Sequence, residues 1–443
     1  MKTLKIGRAI VKPGQRRRVE IPLTETYLGT GLAMPVTVLR ALRPGPVVLV
    51  TAAVHGDELN GIEVVRELDE EVRVEALRRG ALVLAPILNV PAFLAGSRYL
   101  PDRRDLNRSF PGSRHGSLAS RIANRILRSL VLKADYVIDL HTASTERTNL
   151  PHVRGDLRDA RVRRVARAFG SEVVVHKPAS RRTLRGAAMK AGVAAILFEA
   201  GEANLFQRDM VQRGLNGVRN VLRALRMLEG KPARPQYRVI VKRAMWVRAR
   251  KGGILDIRVR PGDVVYRGDT IAITTFPFGH ERDVIQAPAT GMVLGVHRLP
   301  LANPGNAICH LVRLAKTLKT VERALGMAET EAPATEAVAA AAAAAAGGPG
   351  EGGAAGGAGG GSKEEAGATA AAAAGAGAQA RGEDEAATAG EDGAEAGRTA
   401  GGRGAGGAAP GPGGDGADAG VGGSRGPGRD PHSASPRTDA TDA

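Results

Sequence analysis

Within Val54-His55-Gly56-Asp57-Glu58, His55 and Glu58 stand three residues apart. Where a strand gives way to a loop or helix, that spacing lets an imidazole nitrogen and a carboxylate turn toward one point, a donor pair suited to a borderline metal such as zinc. Alone, a His-x-x-Glu pair is commonly a chance or surface feature. A third donor of the right kind is His141, which closes the apolar run Tyr136-Val137-Ile138-Asp139-Leu140. Three donors leave a fourth position open, as catalytic zinc requires; a closed structural site would use four ligands and several cysteines, and the chain has only Cys309. Asp139, two residues before His141 and on the same strand face, either accepts a ring N–H from a ligand histidine or pairs with one of many arginines.

Glu199 ends another apolar run, Ala194-Ala195-Ile196-Leu197-Phe198, and a carboxylate is rarely left in such surroundings without a task or a partner. It reads either as a general base acting on the attacking water or as half of a buried ion pair with an arginine. The stretch 97–112 has no regular period, many turn residues and several guanidinium groups. Within it Arg108 can grip a carboxylate through two parallel hydrogen bonds, Asn107 adds a neutral donor, and Arg98 can face a developing oxyanion. Surface arginine is the alternative for each cation.

The elements that must position these side chains follow from periodicity. Apolar, largely β-branched runs at 47–54, 81–88, 136–140, 172–176 and 194–198 alternate with amphipathic stretches, clearest at 118–132 and 205–228. That alternation predicts an α/β fold: three layers, a mixed and largely parallel sheet with helices on both faces. His55, Glu58, His141 and Glu199 all fall at or just past the carboxyl ends of strands, where such sheets place their sites.

After Pro232 short strands with Gly and Pro turns replace this pattern, with a weak duplication. Gly253-Ile254-Leu255-Asp256-Ile257 leading to Pro261-Gly262-Asp263 parallels Gly291-Met292-Val293-Leu294-Gly295-Val296 leading to Pro304-Gly305-Asn306. The stretch resembles the barrel-sandwich of biotinyl and lipoyl carrier domains, yet no lysine lies between Lys251 and Lys316, so a structural β-sandwich is expected rather than a swinging arm. The expected organisation is a catalytic domain over 1–232, a β domain over 233–316, a connecting helix over 317–327 and a tail over 328–443.

That tail is rich in Ala and Gly and has no aromatic residue, too little apolar surface to offset chain entropy, so it is expected to be disordered. It holds seven Lys and Arg against seventeen Asp and Glu, a net of −10, and the other 56 basic and 28 acidic residues give +28 over 1–327. So basic a folded part suits a small anionic ligand, a nucleic acid or a lipid surface, although 51 of the 63 basic residues are Arg and a solvated face accounts for most. One cysteine excludes a disulfide framework, and no run is long and apolar enough for a signal peptide or a membrane span. A cytoplasmic location follows as the default.

Taken in order, His55-x-x-Glu58, Asp105-Leu106-Asn107-Arg108-Ser109-Phe110-Pro111-Gly112, Asp139-Leu140-His141 and Phe198-Glu199-x-Gly201 resemble the succinylglutamate desuccinylase and aspartoacylase family, deacylase relatives of the zinc carboxypeptidases. The resemblance covers roughly residues 1 to 315. It implies about one Zn2+ per chain on His55, Glu58 and His141, with Glu199 as general base and Asn107 with Arg108 on the substrate carboxylate; Arg98 matches at a spacing that varies. The implied activity is hydrolysis of the amide of a small anionic N-acyl amino acid, with neither nucleic acid nor membrane as partner. Competing readings are a zinc carboxypeptidase and a non-enzymatic scaffold. Acyl group, amine and oligomeric state are not encoded in these motifs.

Overall fold

Ahead of the first expected strand the chain already forms four. Leu4–Ile6 (β1) pairs with Ala9–Val11 (β2), and Gln15–Glu25 (β3) pairs with Gly31–Arg40 (β4), all antiparallel. Ile21 and Leu23 of β3 point inward while Glu20 and Pro22 stay exposed, the period-two alternation of a one-sided strand. Local periodicity marks none of them, because Arg16, Arg17 and Arg18 give the start of β3 a polar face that masks the alternation. The computed structural model describes residues 3–279, 282–314 and 317–327, all within one compact unit. The expected disordered tail lies outside the described residues.

The expected strands follow as Val47–Ala52 (β5), Ala81–Ala85 (β6), Tyr136–His141 (β7), Val173–His176 and Ala194–Gly201; Arg147–Gly155 is an additional strand. In chain order these last three elements are β8 (Arg147–Gly155), β9 (Val173–His176) and β10 (Ala194–Gly201). Helices between them are Asn60–Glu71 (α1), Val90–Leu94 (α2), Leu118–Ser129 (α3), Ala160–Phe169 (α4), Leu184–Lys190 (α5) and Arg208–Ala224 (α6). Local signals set their ends. Ser117 accepts a hydrogen bond from Ser120 N to start α3, and Asp159 caps α4, which stops at left-handed Gly170.

One 13-stranded sheet runs through the molecule. Its centre, β6-β5-β7-β10, is parallel and buried on both faces. Val48, Val50 and Ile138 pack on one side against Val64 and Leu68 of α1, Phe169 of α4 and Leu215 of α6. Leu49, Val137 and Ala195 face the other way onto Ile122 and Ile126 of α3 and Leu184 of α5. Each such fully buried Leu or Ile contributes about 1.5–3 kcal/mol. The expected helices on both faces are therefore present. The parallel character is confined to the centre and to β9, which runs parallel to β8 and to the later strand 239–241: β4 joins β6, and β8 joins β10, antiparallel. The turn between β3 and β4 is too short for a crossover helix, which forces that pair to run antiparallel.

Beyond Pro232 come Val239–Val241 (β11), Ala244–Arg248 (β12), Gly253–Ile257 (β13), Val264–Val265 (β14), Thr270–Thr275 (β15), Arg282–Gln286 (β16), Gly291–His297 (β17), Leu301–Ala302 (β18) and Ala307–Arg313 (β19). Helix Leu318–Ala324 (α7) follows. β11 pairs with β9 and β17 pairs with β8, so these residues extend the same large sheet. A separate four-stranded sheet, β16-β15-β13-β18, shares a core with it through Leu255, Ile271, Ile285, Val293, Ile308 and Leu311. The two duplicated segments become β13 and β17, one in each sheet. Among the described residues no helix is long and apolar enough to cross a membrane.

Candidate active site

Strand β5 hands the chain to His55 through Ala53, a non-glycine residue in the left-handed region at φ 47°. Gly56 comes next because a Cβ there would lie 2.2 Å from the Ala92 carbonyl carbon, and its N–H donates to Ser97 O at 3.0 Å. This tight passage turns His55 and Glu58 inward, where both are almost fully buried. From β7, His141 enters the same space, its ring centroid 5.3 Å from that of His55.

Glu58 is the point on which both rings converge. His55 Nδ1 lies 2.6 Å from its Oε1, and His141 Nδ1 lies 2.9 Å from its Oε2. The other nitrogen of each ring faces a different carboxylate: His141 Nε2 sits 2.9 Å from Asp139 Oδ2, and His55 Nε2 sits 3.2 Å from Asp105 Oδ1. Asp139 is itself braced by the Thr51 hydroxyl, which donates to Oδ1 at 2.6 Å, and Thr142 N donates to Glu58 Oε2 at 3.2 Å. If the Nε2–H groups donate to Asp139 and Asp105, each Nδ1 lone pair points at a carboxylate oxygen, a repulsive arrangement that a cation among them resolves. Three donor atoms, one from each residue, lie within 4.8 Å of one another, and the N,N,O set is one that zinc accepts. These residues fit the ion.

Burial alone pushes the Glu58 carboxyl upward, but His55 and His141 outweigh it and hold the group well below the usual carboxylate range. Burial disfavours charge on His141 too, yet Asp139 and then Glu58 draw it well above its ordinary value. Asp105, also raised by burial, is pulled below its ordinary value by His55 and Arg98. The pocket is built to hold positive charge at its centre.

Glu199 sits on β10 directly beside His141 of β7 in the parallel register, and beside His152 of β8 on its other flank. Asn149 Nδ2 donates to Glu199 Oε2 at 3.2 Å, and an Arg154 guanidinium nitrogen is 3.7 Å from Oε1. Both readings of Glu199 thus find physical support: it is next to a candidate metal ligand, and it has an arginine neighbour. Arg154 Nε in turn donates to His152 Nε2 at 2.9 Å.

Arg98 joins the centre, donating to Glu58 Oε1 at 3.1 Å and reaching Asp105 Oδ2 at 3.5 Å. Asn107 and Arg108 occupy a 3-10 turn, Leu106–Arg108, that Asp105 caps by accepting from Asn107 N at 2.6 Å. The Asn107 side-chain oxygen is committed to the fold, accepting from Leu184 N at 2.9 Å at the start of α5, which leaves the Nδ2 amide for a ligand. Arg108 is half-buried, its NH1 donating to Asn107 O at 3.2 Å.

Four further residues of this neighbourhood carry no local signal for the place they take here. Asp105 was visible inside its motif, but nothing in the letters says that it backs His55. Asn149, His152 and Arg154 ride on β8, whose sequence Arg-Thr-Asn-Leu-Pro-His-Val-Arg-Gly carries no clear period.

Residues 44–225 match the family model described as the succinylglutamate desuccinylase/aspartoacylase catalytic domain. The chain is 28% identical over 323 residues to the N-alpha-acetyl-L-2,4-diaminobutyric acid deacetylase of Halomonas elongata, covering 68% of this chain and 92% of that protein. It is 32% identical over 206 residues to a succinylglutamate desuccinylase of Burkholderia orbicola, a match that spans 42% of this chain and only 59% of the relative. Among solved structures, a succinylglutamate desuccinylase/aspartoacylase from Rhodobacter sphaeroides superposes with a TM-score of 0.62 at 26% identity, covering 69% of this chain and 97% of that one.

Proposed function

Since the chain belongs to the succinylglutamate desuccinylase and aspartoacylase family, we propose that it is a zinc-dependent deacylase that hydrolyses the amide bond of a small anionic N-acyl amino acid. The observation that carries this reading is the convergence of His55 Nδ1, His141 Nδ1 and the Glu58 carboxylate, with Glu199 one strand away from His141. His55, Glu58 and His141 hold the ion. Zn2+ bound there supplies a Lewis acid that polarises the scissile carbonyl and makes water easier to deprotonate.

Around that centre the protein's own groups divide the work. Glu199 takes a proton from the attacking water and returns it to the amine as the C–N bond breaks, so that water's hydroxyl ends on the acyl carbon and its proton on nitrogen. Asn149 and Arg154 keep the Glu199 carboxylate in place. Arg98 turns toward the carbonyl oxygen as it gains charge, and Arg108 with the Asn107 amide binds the carboxylate of the amino-acid part. Asp139 and Asp105 orient the two imidazoles through Nε2.

The relatives act on N-acetyl and N-succinyl amino acids by their names, which makes these the acyl groups to try first. Zinc-loaded protein incubated with N-acetyl and N-succinyl amino acids, and separately with peptides of matched C-terminus, tests the reading. Release of amine from the N-acyl series supports it. Release of C-terminal residues from peptides, with N-acyl amino acids untouched, would transfer the chain to the carboxypeptidase reading.

A further inference from the structure

At the amino ends of β5 and β6, opposite the catalytic edge, three segments meet around a concavity of about 510 Å3. Arg43 comes from the segment before β5, Arg78 and Arg79 from the segment before β6, and Arg223 and Arg226 from the end of α6. β5 and β6 span five to six residues, which places this concavity roughly 20 Å from His55. The remaining lining, Pro44, Leu228 and Gly230, is neither acidic nor aromatic.

We propose that this concavity is a binding site for a compact polyphosphate anion, separate from the catalytic centre. Five guanidinium groups line it, and the only carboxylate that pairs with any of them among the described residues is Glu229, 3.4 Å from Arg78 and 90% exposed. Arg43, Arg79 and Arg226 form no ion pair among the described residues. The carboxyl end of α6 offsets part of the charge of Arg223 and Arg226 through its partial negative pole. Nothing comparable balances Arg43 and Arg79. A guanidinium fork matches phosphate oxygens two at a time, and several forks around one concavity suit a ligand with several phosphates better than a single carboxylate.

The backbone beneath is built rather than incidental. Gly80 N donates to Arg43 O at 2.9 Å, Ala41 N donates to Gly80 O at 2.9 Å, and Arg78 N donates to Met227 O at 2.9 Å, so all three segments are laced together. Gly80 has φ 77°, and a Cβ there would lie 2.1 Å from Pro46 O. Arg226 holds a left-handed φ of 59° without being glycine. The absence of an aromatic lining removes a stacking platform for a nucleobase, and a compact concavity lined by eight residues lacks the extended strip along which duplex phosphates are tracked.

The test is titration calorimetry of inorganic triphosphate into the full-length, zinc-loaded protein at about 50 mM salt, where screening is weak. The expected result is one saturable site per chain, with affinity at least tenfold lower in Arg43→Gln/Arg79→Gln. A charge-matched control, Arg121→Gln/Arg125→Gln on the exposed face of α3, should change affinity less than twofold. Arg43→Lys/Arg79→Lys, which keeps charge but removes the forks, should lose several-fold. Equal losses in the two Gln variants would show a general field, and no loss in either would show chelation of the zinc; each would overturn the site. So would a twelve-base-pair duplex binding more tightly than triphosphate through the same arginines. A tenfold gain in triphosphate affinity on changing Glu383, Asp384 and Glu385 to amides would instead make the chain's own acidic tail the occupant, and the proposal would fall.

Discussion

Glu199 of β10 lies in register with His141 of β7, so a carboxylate and a candidate zinc ligand project side by side from the same face of two parallel strands. Neighbouring strands are about 4.8 Å apart, the right scale for a base to share a water with a metal site. Glu199→Gln keeps the side chain's size and its contact with Asn149 but cannot accept the proton. We expect normal zinc content with turnover lower by about a hundredfold to ten-thousandfold. Near-normal turnover with zinc intact would leave Glu199 as the ion-pair partner of Arg154.

Replacing His55 or His141 with Ala should strip the metal from about one per chain toward zero, read by elemental analysis, and abolish activity. Asp139→Asn should act more gently, weakening metal affinity by about ten- to a hundredfold, because it loosens one imidazole without removing a donor. Full zinc occupancy in both His variants would refute the ligand assignment.

Gly56→Ala tests the passage that delivers His55. The added methyl meets the backbone of Ala92 and Phe93, which cannot rotate aside as a side chain would. We expect a stability loss of about 1–3 kcal/mol, from overpacking, together with reduced zinc content. A variant that melts normally and binds zinc fully would mean that the 92–96 segment yields easily.

His152 supplies a pH dependence. Burial, with Arg154 beside it, pushes its pKa down to about 3, against an unfolded value near 6.5. Between those values the unfolded chain takes up a proton that the folded chain refuses. Its contribution is therefore fully present above about pH 6.5 and drains as pH falls toward 3, by about 2–3 kcal/mol at pH 4.5. His152→Gln, which can still donate to Leu150 O and accept from Arg154, should flatten the fall in melting temperature between pH 7.5 and 4.5. An unchanged slope would exclude His152 as a source.

Ending the chain after Met327 should leave zinc content and turnover nearly unchanged, because residues 328–443 offer no aromatic anchor and no plausible ligand set. At low salt, removing the net −10 of that segment should speed capture of an anionic substrate, a gain that fades as salt rises. A salt-independent loss of activity would place the tail in the working enzyme.

What the amino-acid order determined by itself is where the apolar runs stop, although only β7 ends on its polar residue, β5 stopping at Ala52 and β10 running on to Gly201. Apolar runs stop at His55, His141 and Glu199, and a buried strand that ends on a polar residue announces a position at the sheet's edge whatever its neighbours are. Chain order says nothing of lateral order. That β7 lies between β5 and β10, and that β8 enters antiparallel beside β10 with Asn149 and Arg154, was decided by packing between segments far apart in sequence. The arginine fate of Glu199 and the pairing of Asp105 with His55 depend on those long-range contacts, since a side chain's partner is set by where two backbones meet and not by its own spacing. The antiparallel flanks and the continuation of the sheet through β17 were hidden for the same reason. Hydrogen bonds between strands are made by backbone groups common to every residue, so local periodicity marks a strand without saying to which other strand it belongs.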